Sequence, residues 1–93
     1  MTTALSTIDV RLPPLLLHLF PTAPSRLSLE ASDVATMIDA LDQRWPGMAD
    51  CIRDSRPAIR RHINVFVDGQ RAKLETSLPS GTDVFILTAI SGG

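Results

Sequence analysis

The sequence predicts a single α+β domain, spanning residues 1–93, in which a mixed sheet of about four to five strands packs on one main helix. Several short segments alternate apolar and polar residues as half-buried strands do, and one long segment repeats apolar residues at helical spacing. Of the 93 residues, 44% are hydrophobic and 20% are charged, a composition typical of one globular domain. Because a single helix covers only one face of a sheet, we expect the other face to meet solvent.

The first two strands are predicted to form a hairpin. Apolar and polar residues alternate over residues 7–12, and the prolines at 13–14 then end regular pairing. We interpret the apolar stretch that follows, as far as Phe20, as a buried continuation of this strand. A turn-rich segment leads into a second strand, in which Leu27 and Leu29 alternate with polar residues.

The main helix is predicted over residues 33–45, with Ser32 as its N-cap and Asp33 in its first turn. Pro46-Gly47 ends it, and Met48 and Ile52 are expected to add a short second turn over the same core. The apolar side chains at helical spacing are Val34, Met37, Ile38, Leu41 and Trp45. We expect these side chains to form core, with Trp45 closing one end of it.

The remaining strands lie in the second half of the chain. Alternation predicts a strand over residues 63–67, and Asp68-Gly69 is a strong signal for a hairpin turn into a short return strand over residues 70–74. A second turn precedes the last strand, which is predicted over residues 84–90. The segment 53–61 is arginine-rich and is expected to be a loop.

Directly behind the last strand, the sequence ends with Gly92 and Gly93. Two residues without side chains would place a terminal carboxylate on a thin tether that can enter a narrow active site. A frayed end without function is the alternative at this point.

The second half of the chain resembles the MoaD/ThiS family of ubiquitin-like sulfur carriers. The resemblance is carried by the segments 63–69, 78–84 and 86–93, whose strand, turn, strand and diglycine come in the family's order and spacing. Trp45-Pro46-Gly47 is also similar to the Tyr-Pro-Gly of members close to the cysteine-biosynthesis carriers. The resemblance implies a ubiquitin-like β-grasp fold.

The same resemblance implies a role for the end of the chain. An E1-like adenylyltransferase, using ATP and magnesium, would join the carboxylate of Gly93 to AMP, and Gly92 would act as the spacer. A sulfur donor would then displace AMP and leave a thiocarboxylate. The acceptor would be the large subunit of molybdopterin synthase or a cysteine synthase that uses pyridoxal phosphate. The chain itself would bind no cofactor and would be a substrate of partner enzymes rather than an enzyme.

Some positions depart from the family pattern, and they leave the pathway open. Asp68 stands where members often have Asn, Thr88 where they often have Pro, and His18 where a basic residue is common. Two other functions therefore remain at this point. One is a ubiquitin-like modifier joined to lysines through Gly93, and the other is a passive interaction module.

Strand alternation also predicts a docking surface. If the residues on either side of them face the helix, then Phe66, Phe85 and Leu87 share the open face of the sheet. A contiguous apolar patch that leads to a reactive tail would bind a partner protein. Packing under a loop, or in a homodimer, is the alternative.

No other residues define a site of their own. Cys51 is the only cysteine, and His18 and His62 lack the spacing of metal ligands, so we expect neither a disulfide, a catalytic thiol nor a metal site. The basic cluster is expected to be a solvated loop offset by Asp50 and Asp54, and its members are Arg53, Arg56, Arg60 and Arg61. A net charge of -1 and the lack of a long apolar segment predict neither a nucleic acid nor a membrane partner. A single cysteine gives no sign of an oxidising compartment, so we expect a cytoplasmic protein.

Overall fold

The computed structural model describes residues 6–88, which form a five-stranded mixed sheet with one main helix and two short ones. In chain order the elements are β1 (Ser6–Arg11), α1 (Pro14–Leu19), β2 (Arg26–Ala31), α2 (Val34–Arg44), α3 (Met48–Ile52), β3 (Ile63–Val67), β4 (Gln70–Arg71) and β5 (Asp83–Thr88). The strands lie in the order β2-β1-β5-β3-β4. The predicted α+β fold class is confirmed.

The two central strands, β1 and β5, are parallel, and the other neighbouring strands are antiparallel. Parallel neighbours need a long crossover connection, and here the chain between them supplies the helices that cover one face of the sheet. Alternation buries Ile8 and Val10 of β1 and Val84 and Ile86 of β5 on that face. From α2, the predicted residues Val34, Met37, Ile38 and Leu41 are all buried against them. Within residues 6–88 the helices cover one face of the sheet, as expected from a single main helix.

Helix α2 begins with a capping box. Thr36 N donates to Asp33 Oδ1 at 2.8 Å, and Asp33 N donates to Thr36 Oγ1 at 3.1 Å. The N-cap is therefore Asp33, and the prediction of Ser32 was wrong by one residue. The reason is that the carboxylate of Asp33 reaches the free N–H of the first turn, whereas the N–H of Ser32 itself donates to Thr36 Oγ1.

We expect Asp33→Ala to lower the free energy of unfolding by about 1 kcal/mol, because the first turn then loses its cap. Urea denaturation followed by circular dichroism measures this. Glu75→Ala removes an exposed carboxylate that caps no helix and serves as the control. Equal losses in the two variants would contradict the capping role.

The prediction for the apolar stretch up to Phe20 was wrong, because residues 14–19 form the short helix α1 rather than a continuation of the strand. Pro13 is the extended N-cap and Pro14 occupies the first helical position, where a proline has no backbone donor to lose and its φ already suits a helix. Leu16 is buried, whereas Leu15 and Leu19 are 40% and 51% exposed.

The hairpin between β3 and β4 has the predicted Asp68-Gly69 turn. Asp68 and Gly69 have positive φ values of 50° and 85°, and a two-residue type I′ turn requires positive φ at both positions. The return strand is shorter than predicted, because only Gln70 and Arg71 pair with β3. The last strand begins at Asp83, and the predicted strand residues 89 and 90 lie outside the described part of the chain.

Trp45 lies at one end of the core, where it is half-buried against the buried cluster and its Nε1 donates to Thr22 Oγ1 at 3.1 Å. The sharp turn behind it requires the positive φ of 99° at Gly47. The carboxylate of Asp42 then accepts from the backbone N of Gly47 and Ala49, at 3.0 Å each. The short second turn is α3, and its predicted residues Met48 and Ile52 are buried.

Candidate functional site

The open face of the sheet, defined as the face turned away from α2, carries the predicted docking residues. Phe66 and Phe85 are directly opposite each other on β3 and β5, and Leu87 lies two residues further along β5. Both phenylalanines are half-buried, and Leu87 is 42% exposed. We call these three residues the apolar patch. Their shared position on the open face agrees with the prediction, while their role in docking stays a prediction.

An arginine adjoins this apolar patch on the side of β1. The parallel register places Arg11 beside Phe85, and the guanidinium carbon lies 4.9 Å from the centroid of the ring. At this distance the cation interacts favourably with the face of the ring. The patch therefore has a charged border as well as an apolar centre.

The predicted reactive residue Gly93 and its spacer Gly92 lie outside the described residues, so both stay predictions. What the structure does place is the strand that leads to them. β5 carries Phe85 and Leu87 and ends at Thr88, five residues before Gly93. The apolar patch and the end of the chain are thus close neighbours in sequence.

Sequence reasoning missed two arginines that border the patch and two exposed leucines elsewhere on the surface. Arg11 and Arg71 were not singled out, although the alternation of β1 alone puts Arg11 on the face opposite to Val10. The exposed pair Leu15 and Leu19 was missed because α1 was not predicted. A proline at the first helical position, followed by apolar residues four apart, was the available signal.

Ion pairs and hydrogen bonds hold the arginine-rich loop against α2 and α3 and within itself. Arg53 pairs with Asp39 rather than with Asp50, while Arg60 Nε donates to the backbone carbonyl of Asp50. Arg56 pairs with Asp54, in agreement with the prediction that Asp54 offsets part of the positive charge of the loop. Arg61 is exposed in the turn before β3. Three of the four arginines are therefore engaged within the fold.

The pair of Asp54 and Arg56 makes stability depend on pH. The hydrogen bond from the Arg56 side chain holds the pKa of Asp54 at about 2, below its usual value of 3.8. A carboxylate with a lowered folded pKa contributes stability that is present above the unfolded pKa and lost as the pH falls through the folded pKa. We expect the stability of the wild type to fall more between pH 4 and pH 2 than that of Asp54→Asn. Parallel denaturation curves measure the difference, and identical pH profiles would contradict it.

The other titratable candidates are not brought together. Cys51 is half-buried beside the core and is a free thiol, and His18 and His62 are both exposed. Across residues 6–88, no three His, Cys, Asp or Glu side chains form a group that could hold a metal ion. In the same part of the chain, no helix is long and apolar enough to cross a bilayer.

A cavity of about 420 Å³ lies beside the patch, between the loop of residues 57–61 and the strands β3 and β4. Arg71 and Lys73 border it, and so does Asn64, which is opposite Leu87. The buried Oδ1 of Asn64 accepts no hydrogen bond from residues 6–88. Basic side chains therefore lie at the β4 edge of the sheet, next to Asn64.

Together, the sheet order, the single covering helix and the open face define the ubiquitin-like β-grasp fold. Several solved structures are similar to this fold. CysO in the BexX/CysO complex of Amycolatopsis orientalis is 23% identical, with a TM-score of 0.81 over 92% of this chain and 99% of that chain. Small archaeal modifier protein 1 from Methanosarcina acetivorans is also 23% identical, with a TM-score of 0.78 over 98% of this chain and 100% of that chain.

A third similar structure is the putative molybdopterin converting factor subunit 1 from Pyrococcus furiosus. It is 14% identical, with a TM-score of 0.69 over 91% of this chain and 99% of that chain. Comparisons with family models and with curated protein sequences found no match. At these identities the structural likeness establishes the fold.

Proposed function

We propose that the chain is a cytoplasmic sulfur carrier whose Gly93 carboxylate is activated and converted to a thiocarboxylate. The observation that carries the proposal is that β5 bears Phe85 and Leu87 on the open face and leads into the diglycine within five residues. A partner that holds the patch would thereby hold the strand that leads to the reacting carboxylate. The similar structures include carriers of this fold, and they cover nearly the whole chain.

Chemistry explains why such a carrier needs a partner. A free carboxylate is a poor electrophile, because its negative charge must be lost before a nucleophile attacks the carbon. In the proposed first step, an oxygen of the Gly93 carboxylate attacks the α-phosphorus of ATP and pyrophosphate leaves. In the second step a sulfur nucleophile, hydrosulfide in the simplest case, attacks the carbonyl carbon and AMP leaves. ATP and magnesium belong to the E1-like partner, and the sulfur comes from a donor.

The acceptor would be an enzyme of molybdopterin or cysteine synthesis. In the first case the tail enters the large subunit of molybdopterin synthase, and in the second it meets a synthase that holds pyridoxal phosphate. In both cases Gly92 and Gly93 pass through a narrow opening, where the lack of a Cβ keeps the tail thin. The chain supplies the carried atom and a docking surface, and its partners supply catalysis.

Intact-mass spectrometry of the protein purified from its native host tests this proposal. We expect a fraction of the molecules to carry sulfur in place of one oxygen at Gly93, and fragmentation of the C-terminal peptide to locate the change there. Alkylation before digestion should trap the thiocarboxylate. If Gly93 carries a plain carboxylate under conditions in which the pathway runs, the proposal fails.

A ubiquitin-like modifier is the second candidate, and the likeness to small archaeal modifier protein 1 favours it. The same activated Gly93 would then form an isopeptide bond with lysines of other proteins. Lys73 is the only lysine of this chain, so self-linked polymers would have one side-chain site. Tryptic peptides of host proteins that carry this chain's C-terminal remnant on a lysine would support the modifier, and their absence beside a thiocarboxylate would support the carrier.

A further inference from the structure

A single row of side chains crosses the open face at right angles to the strands. The strand registers give its order as Arg26, Arg11, Phe85, Phe66 and Arg71, one residue from each strand. Because neighbouring strands lie about 4.8 Å apart, the backbones of Arg11 and Arg71 are separated by about 14 Å, with both phenylalanines between them. The apolar centre is therefore flanked by an arginine on each side.

Two of the three arginines in the row form no ion pair with a carboxylate of residues 6–88. Arg26 Nη2 lies 3.3 Å from Asp9 Oδ2, and this hydrogen bond raises the pKa of Arg26. Within residues 6–88, no carboxylate oxygen lies within 4.0 Å of the side-chain nitrogens of Arg11 or Arg71. Arg11 instead stacks on Phe85, and Arg71 is exposed.

We propose that the partner which docks on the apolar patch presents an apolar strip with a carboxylate on each side, and that these carboxylates pair with Arg11 and Arg71. This inference rests on the proposed function, because it gives the chemistry of the surface by which the adenylating enzyme holds the chain. Complementary charges around an apolar contact orient two proteins and speed their encounter. The planar guanidinium of Arg11, already held against a ring, meets a carboxylate with little further loss of side-chain freedom.

A second copy of this chain fits the row poorly. If two copies packed with their phenylalanines in contact, a two-fold axis along the strands would set arginine against arginine at both ends of the row. A two-fold axis along the row itself would place each residue opposite the same residue of the second copy, so arginine would again meet arginine. Like charges placed opposite each other are destabilising. The row therefore selects a partner of opposite charge over self-association.

The neighbouring row indicates which part of the open face the partner covers. Asp9 and Asp83 are paired in register two residues before Arg11 and Phe85, so an acidic row lies on the side away from Leu87. Carboxylates of a partner would be repelled there. We infer that the partner covers the arginine row and the side toward Leu87, from which the chain continues to Gly93.

Charge reversal tests the inference. The E1-like adenylyltransferase of the native host is assayed with the full-length chain by ATP–pyrophosphate exchange, at low and at high salt. We expect Arg11→Glu and Arg71→Glu each to raise the KM for the chain by about tenfold at low salt, with kcat unchanged, since rim charges act on encounter and docking. High salt should shrink the effect, and Arg11→Lys and Arg71→Lys should stay within about twofold of the wild type.

The matched control is Arg44→Glu, an equal change of charge at an exposed position of α2, on the other side of the sheet. Melting temperatures of all variants show whether they fold. If Arg11→Glu and Arg71→Glu both fold and each has the same KM as Arg44→Glu, the inference is overturned, while the carrier function still stands. A wild type that forms no adenylate at all would overturn both, and a stable dimer of the wild type through the patch would overturn the inference alone.

Discussion

Deletion of Gly93 is expected to abolish ATP-dependent activation of the chain while leaving its melting temperature nearly unchanged. The reason is positional. Without Gly93 the terminal carboxylate moves back by one residue, about 3.5 Å of extended chain, and no longer reaches the α-phosphorus of ATP in the partner's site. A glycine has no side chain to add to the buried core, so we expect its removal to change the melting temperature little.

The measurement is single-turnover formation of the acyl-adenylate by the E1-like partner, with intact mass as the readout. Gly92→Ala is a second variant, in which we expect a partial rather than a complete loss of activation. Its Cβ widens the tail and narrows the accessible φ, so we expect slower activation at an unchanged melting temperature. Extending the chain by one residue after Gly93 controls for length and should also block activation. A normal yield of adenylate from the deletion would rule out Gly93 as the reacting residue.

Much of the fold could be predicted because local signals and tertiary packing agree. The apolar spacing of α2, the alternation of β3 and the Asp68-Gly69 turn each pointed to the structure that formed. The parallel pairing of β1 with β5 joins segments far apart in sequence, and alternation contains no information about such a register. The sheet order therefore came from resemblance alone.

Helix α1 shows where the sequence signals conflicted. Its first four residues, 14–17, are all apolar, and a short run of this kind fits a buried strand as well as a buried helix. Two prolines favoured the end of a strand, yet Pro14 at the first helical position costs the helix nothing. The decisive information was the burial of Leu16, which depends on the rest of the core.

Only part of the candidate site could be predicted, because alternation within a strand does not determine its register with neighbouring strands. Phe66, Phe85 and Leu87 follow from alternation within single strands. The row that adds Arg11 and Arg71 needs the registers of four strands, and a shift of one residue in any of them would move its side chains to the other face. Single-strand patterns place residues on a face, whereas their neighbours across the sheet come from topology.

Truncation of the central aromatic residue should have the second large effect. We expect Phe85→Ala to raise the KM of the chain for the E1-like partner by about thirtyfold, which corresponds to about 2 kcal/mol of docking free energy. Aromatic side chains near the centre of an interface dominate binding when their neighbours exclude water. Phe85 is opposite Phe66 and under the guanidinium of Arg11, so its removal takes away the centre of the patch and the support of its charged border.

Phe66→Ala should raise the KM by a similar factor, and Leu87→Ala by less, because Leu87 lies at the side of the patch, where side chains contribute less to binding than those at its centre. Leu27→Ala is the matched control, since Leu27 is half-buried, packs against the core and is paired with the buried Val10 on the face toward α2. It should lower the melting temperature without changing the KM. Because Phe85→Ala also removes packing, each KM is compared at a temperature well below the melting point of the least stable variant.

The two phenylalanine variants also separate the docking of the chain from the activation of its carboxylate. In a carrier, loss of the patch weakens docking but leaves the Gly93 carboxylate intact, so a saturating concentration of Phe85→Ala should still reach the kcat of the wild type. A lower kcat at saturation would mean that the patch aligns the tail in the transition state as well as holding the chain. An unchanged KM in both phenylalanine variants would exclude the open face as the docking surface and direct attention to the exposed leucines of α1.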